Sequence, residues 1–295
     1  MIFAGSGCRI RARATATSGR DGLWVDGMDR YGFSTIRTEL DDAVLLVTLS
    51  RPERLNAIND VMHQELTQLY ARIAADPEVE VVVLTGAGRG FCAGGDFRQM
   101  AENNDAGYDD GFSQLFVDAV ALARNILAVR QPVVAAVNGD AIGLGATLAL
   151  FCDVVYMADT ARIGDPHVQA GLVAADGGVV LWPMLIGANR AKEYLFTGDL
   201  MTAAEAERLG LVNHAVPAER VLDEAMAFAR RLARGASLAI RFNKRLVNKE
   251  LEDRVNRIYE MALAMEAVTF RSADHIEAVK AFAERREPVF ARGLR

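Results

Sequence analysis

Cysteine is scarce: three residues in a chain of 295, Cys8, Cys92 and Cys152, at wide and unpatterned spacing. That excludes a disulfide framework and a zinc knuckle, and it fits a reducing compartment. There is no basic excess either. Lys and Arg number 33 against 39 Asp and Glu, a net charge of −6, so the electrostatic footprint of a nucleic-acid binder is missing. No stretch of about 18 apolar residues runs without a charge, which removes a membrane span. What remains, 51% hydrophobic and 24% charged, is the composition of a soluble globular protein large enough to bury its own core. Disorder, collagen and coiled coil fail as descriptions of the whole chain. The one skew is 25 glycines against seven prolines, and its meaning depends on where the glycines fall.

Residues 1–27 stand apart. Arg9, Arg11, Arg13 and Arg20 occur without an acid before Asp21, among Ser, Thr and Ala. That is transit-peptide composition, which would imply a mitochondrial location. The absence of an apolar stripe beside the arginines favours an extension ahead of Met28 and a cytoplasmic protein. From residue 34 a regular pattern begins. Val44–Leu49 reads as a strand, and Asn59 or Asp60 caps a helix with Met62, Leu66, Leu69, Tyr70 and Ile73 on one face. Strands follow at 79–85, 133–137 and 154–157, a polar acidic loop at 101–111, helices at 113–130 and from Gly143, and an almost wholly helical segment from 189. Strand and helix in this alternation mean α/β with crossover connections.

Two strands run into glycine-dense loops, at 86–96 and 139–145. Such loops free backbone N–H groups that can face an anion, and two converging donors make an oxyanion hole. Neither loop carries a P-loop or dinucleotide fingerprint. The strings around them are more specific: Ser50-Arg51-Pro52-Glu53-Arg54-Leu55-Asn56-Ala57, Gly90-Phe91-Cys92-Ala93-Gly94-Gly95-Asp96-Phe97, Pro132 to Gly139, Gly164-Asp165-Pro166-His167 and Leu195-Phe196-Thr197-Gly198. In this order, from about 34 to 290, they resemble the crotonase superfamily, the enoyl-CoA hydratase/isomerase family. The resemblance implies an α/β spiral of repeated ββα units over 28–220, then a helical trimerisation region over 221–295. It implies a homotrimer or dimer of trimers acting on an acyl-CoA thioester. Coenzyme A would come with the substrate, with no permanently bound cofactor and no metal. The oxyanion donors carried over are the N–H groups of Ala93 and Leu144. The substrate and coenzyme A would lie against Arg54, Ala57, Gly94, Gly95, Asp96, Phe97, Gly143 and Thr147, with Phe282 and Arg285 from the C-terminal helix. Arg51 and Arg286 are further candidates for the phosphates.

The acid–base positions depart from the family's hydratases, which hold water between two glutamates. Thr147 and His167 stand at those places. His167 can exchange protons near neutral pH, and Asp176, nine residues on, is the candidate that orients it. The stretch from Pro166 to Asp176, with Trp182-Pro183, also resembles 6-oxocamphor hydrolase, a superfamily member that cleaves a carbon–carbon bond of cyclic β-diketones with a His–Asp pair. That likeness adds His63 and Glu266, which read by themselves as a helix-face histidine and an acid on an amphipathic helix. Cys92 reads as a small buried residue, His214 and His275 as structural or solvent-facing. Three functions follow: an enoyl-CoA hydratase/isomerase-like enzyme lacking both glutamates, a retro-Claisen β-diketone hydrolase, or a non-catalytic acyl-CoA-binding protein.

Overall fold

The computed structural model describes residues 29–106 and 111–291; the arginine-rich extension lies outside them. In chain order the elements are β1 (Ile36–Asp41), β2 (Val44–Leu49), α1 (Asp60–Ala75), β3 (Val81–Gly86), α2 (Phe97–Ala106), α3 (Gly111–Ala128), β4 (Val133–Val137), β5 (Ala141–Ile142), α4 (Leu144–Leu150), β6 (Val154–Ala158), β7 (Arg162–Gly164), α5 (Gly178–Leu185), α6 (Ala188–Thr197), β8 (Met201–Thr202), α7 (Ala203–Leu209), β9 (His214–Val216), α8 (Val221–Ala233), α9 (Ser237–Val247), α10 (Lys249–Phe270) and α11 (Ala273–Glu284). Six strands form one sheet in the order β1-β2-β3-β4-β6-β9, antiparallel at β1–β2 and parallel elsewhere. A smaller sheet joins β5, β7 and β8.

Alternation along the strands divides the core. Val44 and Leu46 of β2, Val81 and Val83 of β3, and Val134 and Ala136 of β4 face α8, which covers them with Val221, Ala225, Met226 and Ala229. The intervening Leu45, Val47, Val82, Leu84, Val133 and Ala135 enter the main core with Leu66, Leu69 and Ile73 of α1 and Leu122 and Ile126 of α3. Such strands, buried on both faces, are why the sequence shows short continuous apolar runs. Helix α1 starts where its cap implied: the Asn59 side chain accepts from the Met62 N–H.

One expectation fails. The acidic stretch from residue 101 is not a loop at its start, because α2 continues through Ala106. Asp96 begins it, its carboxylate accepting from the Arg98 N–H and its carbonyl from the Met100 N–H. Asp96 closes the glycine loop and caps the helix at once. Residues 107–110 lie outside the described part. No helix among the described residues is long and apolar enough to cross a membrane.

Candidate active site

Because β3 and β4 pair in parallel, with Val82 opposite Val133, the loops leaving their C-terminal ends emerge side by side. Backbone bonds lace them together: the Cys92 N–H donates to Asp140 O at 3.1 Å and the Ile142 N–H to Cys92 O at 2.9 Å. Asn56, fully buried with φ +56°, donates its amide to the carbonyls of Ala87, Gly90 and Phe91. Gly94 must be glycine: its φ is +83°, and a Cβ there would come within 2.7 Å of Ile142 O.

The donors differ in part from expectation. The Ala93 N–H is engaged, donating to Leu55 O at 3.0 Å, so Ala93 does not supply a free donor. Two residues on, the Gly95 N–H has no hydrogen-bond partner among the described residues. The Leu144 N–H, at the first position of α4, has none either. Gly95 and Leu144 both line one cavity of about 140 Å³. The terminal methyl of Met100 covers the Cα of Gly95.

His167 stands over the second loop; a Cβ on Gly143 would lie 3.4 Å from its Cε1. The sequence made Asp176 its orienting partner. Instead the Nδ1 hydrogen bond goes to Asp165, which immediately precedes the short 3-10 helix Pro166–Ala170 carrying His167. Asp176 lies on the other side of the ring, 3.5 Å from Nε2, and Glu266 of α10 lies 3.8 Å from Nε2. Thr147, at the first glutamate position, donates its hydroxyl to Asp176 at 3.2 Å. Burial by itself depresses His167, but the charges of Asp165 and Asp176, the Asp165 hydrogen bond and Glu266 outweigh it and raise the imidazole well above its ordinary value. Burial pushes Asp176 up to about 6 and Glu266 up to about 8, against the opposing pull of His167. Both carboxyls thus stand above the ordinary carboxylate range, Glu266 further than Asp176, so the environment separates the weaker acid from the stronger.

His63 also lines this cavity. The sequence read His63 as a helix-face histidine and Glu266 as an acid on an amphipathic helix; both turn inward, each 7% exposed. The signal was available, since both fall within a buried helical stripe, His63 with Met62, Leu66 and Tyr70, Glu266 with Tyr259, Leu263 and Phe270. Asp165 was harder to find, because its contact depends on the turn conformation. Asp165, His167 and Asp176 each offer a metal-ligand atom within 4.8 Å of the others. Asp165 and Asp176 meet opposite nitrogens of the ring, however, so the three do not converge on one point about 2 Å away, as metal ligands must. Cys92 donates to Asn56 O, and burial pushes its thiol up to about 12, which leaves it unreactive.

The coenzyme A candidates divide. Arg51 is held by Asp96 at 3.1 Å and by the Ala57 carbonyl, and Arg286 by Glu277 and Glu284, so neither is free for a phosphate; Asp96 is likewise occupied. Arg54 and Arg285 are exposed. Phe282, also exposed, stacks on Phe97 with ring centres 4.6 Å apart. His275 is fully buried and bonded to Ala170 O, a structural histidine.

The model of the enoyl-CoA hydratase/isomerase family matches residues 39–293. The chain belongs to this family, within the crotonase superfamily. A member from Mycobacterium tuberculosis, "Probable enoyl-CoA hydratase echA8", is 37% identical over 260 residues, covering 88% of this chain and 98% of that protein. The 1,2-epoxyphenylacetyl-CoA isomerase of Escherichia coli is 34% identical, covering 86% and 97%. The crystal structure of an enoyl-CoA hydratase/isomerase from Mycobacterium paratuberculosis superposes with a TM-score of 0.81 at 39% identity, over 85% of this chain and 99% of that one. Membership makes this a crotonase-type enzyme of acyl-CoA metabolism. In this chain one wall of the cavity carries His167, Asp176 and Glu266.

Proposed function

We propose that the protein moves a proton on the acyl part of an acyl-CoA thioester. The carrying observation is the pair of N–H groups, of Gly95 and Leu144, that have no partner among the described residues and belong to residues lining the same cavity as Asp176, His167 and Glu266. The thioester oxygen accepts from both N–H groups. Asp176, ionised near neutral pH, removes a proton from the carbon beside the carbonyl, and the resulting enolate charge collects on the oxygen that the donors hold. Protonated Glu266 returns a proton at the far end of the conjugated system, so the double bond migrates and no atom is gained or lost. His167, fixed by Asp165, keeps positive charge between the two carboxyls and eases the transfer. Thr147 bonds Asp176 Oδ1 directly, which fixes the carboxylate in the wall. Exposed Leu238, Phe242 and Leu246 on α9 and Met261, Met265 and Val268 on α10 support a homotrimer, which would cover these apolar side chains.

Ultraviolet absorbance of the conjugated enoyl thioester tests this reading. With 3-hexenoyl-CoA the absorbance rises as the double bond moves into conjugation, while with crotonyl-CoA it falls only slowly. Hydration of crotonyl-CoA as fast as by a two-glutamate hydratase would refute it. A second reading, hydrolytic cleavage of a β-dicarbonyl without coenzyme A, draws on the approach of Glu266 to His167. It predicts no calorimetric binding of acyl-CoA.

A further inference from the structure

We propose that the acyl group taken by this site carries a second oxygen function, a hydroxyl or carbonyl, which hydrogen-bonds to His63. This rests on the acyl-thioester reading above and narrows its substrate class. His63 lies in the first turn of α1 and lines the cavity together with Leu144, His167 and Glu266. The imidazole is almost entirely enclosed, at 7% exposure, and its Nδ1 is buried without a hydrogen-bond partner. Its Nε2 has no hydrogen bond among the described residues either. His275, the other buried histidine outside the catalytic wall, shows what a structural role looks like, with Nδ1 bonded to Ala170 O at 2.8 Å. Buried polar groups are ordinarily paired, and an orphan costs stability. The ring lines the cavity while its Nδ1 is shut away from it, so a ligand meets the imidazole through Nε2, the nitrogen that no hydrogen bond among the described residues engages.

The chemistry of the ligand follows from the surroundings. Asp60 and Asp118 act on His63 electrostatically, but burial prevails and lowers the imidazole below its ordinary value. Neutral imidazole offers one donor and one acceptor, which suits a hydroxyl or a carbonyl. Asp60 is itself tied to Gln99 of α2, through the Gln99 amide to Asp60 at 2.6 Å and the Asp60 N–H back to Gln99 at 2.9 Å. Leu263, Ala267 and Phe270 supply apolar wall. A plain hydrocarbon chain entering this cavity would displace water and leave His63 unpaired, whereas an oxygenated chain would satisfy it. A site built to hydrogen-bond a substrate group rejects the analogue without it.

Calorimetric titration with matched thioesters tests the inference: butanoyl-CoA against 4-hydroxybutanoyl-CoA, and hexanoyl-CoA against 6-hydroxyhexanoyl-CoA. The wild-type protein should bind the hydroxylated member of at least one pair about tenfold more tightly or better. His63→Leu should erase or reverse that preference, with a melting temperature equal to or above the wild type. Should that variant not fold, His63→Gln, which keeps a donor and an acceptor, should retain part of the preference. Equal or tighter binding of the plain member of both pairs by the wild type overturns the proposal, as does a preference unchanged in His63→Leu. Failure of all four thioesters to bind removes the acyl-thioester reading and this inference with it.

Discussion

Replacing Leu144 by proline takes away one N–H and little else. Leu144 is the first residue of α4, where proline is tolerated because that N–H has no partner within the helix. The preceding residue, Gly143 at φ +54° and ψ −122°, has no Cβ to crowd the proline ring. No hydrogen bond within the fold is lost, so stability should change only through the trimmed side chain, which is partly buried against the core. On the proposed reading, what is lost is one of two donors to the developing enolate oxygen. Removing one such donor costs about 3–4 kcal/mol of transition-state stabilisation, a fall of about 10²–10³ in turnover. Leu144→Ala is the control, keeping the N–H while losing the side chain, and should cost less than about tenfold. Initial rates of 3-hexenoyl-CoA isomerisation, with thermal melts alongside, measure both variants. If Leu144→Pro remains folded and turns over within about tenfold of Leu144→Ala, the two-donor oxyanion hole is wrong.

Glu266→Gln should slow proton return, and the turnover that remains should lose the fall that the wild type shows as pH rises past about 8; an unchanged pH–rate profile would take Glu266 out of the reaction. Asp165→Asn should lower turnover by up to about 10⁴-fold with substrate binding kept, because His167 loses both its orientation and the charge that holds its proton; comparison of kcat with KM shows the split. Thr147→Val deletes the hydroxyl that holds Asp176 down, so the acid limb of the profile, set by Asp176 at about 6, should move to higher pH. Through the titrating groups of the wall, stability should fall as pH rises, while His63 and His275, held below their ordinary value by burial, pull the other way. Glu266 titrates near 4.5 when unfolded and near 8 when folded, so between these values the folded state holds more protons and loses ground with each step upward. Asp176, raised from 3.8 to about 6, and His167, raised above 6.5, act in the same direction. Melting temperature against pH should show this slope, and Glu266→Gln should flatten it.

Much of the fold was legible because buried parallel strands write themselves as short apolar runs, and the glycine loops between them announce tight backbone. The edge strand β1 was not, since its exposed Arg37 and half-buried Glu39 break the apolar pattern. Asp96 hid as a cap because it belongs to both the loop and α2. In the site, the motifs pointed to Leu144 and His167, which both line the cavity, whereas the Ala93 N–H to which they also pointed is engaged and the open N–H lies two residues on, at Gly95. Only the three-dimensional course of the backbone tells that Ala93 spends its N–H on Leu55 and Gly95 does not. Glu266 lies 99 residues from His167 in the chain, and only the packing of α10 brings it into the cavity; a carboxyl within a stripe of Tyr259, Leu263 and Phe270 was the local warning.

Exchange of the protons beside the carbonyl of butanoyl-CoA with deuterated water, followed by proton magnetic resonance, tests the central claim most directly, because it reads enolate formation without requiring the full reaction. The wild-type protein should wash deuterium into that position, and Asp176→Asn should not while still binding the thioester. Tight binding by the wild type with no exchange, or undiminished exchange in Asp176→Asn, would contradict the account.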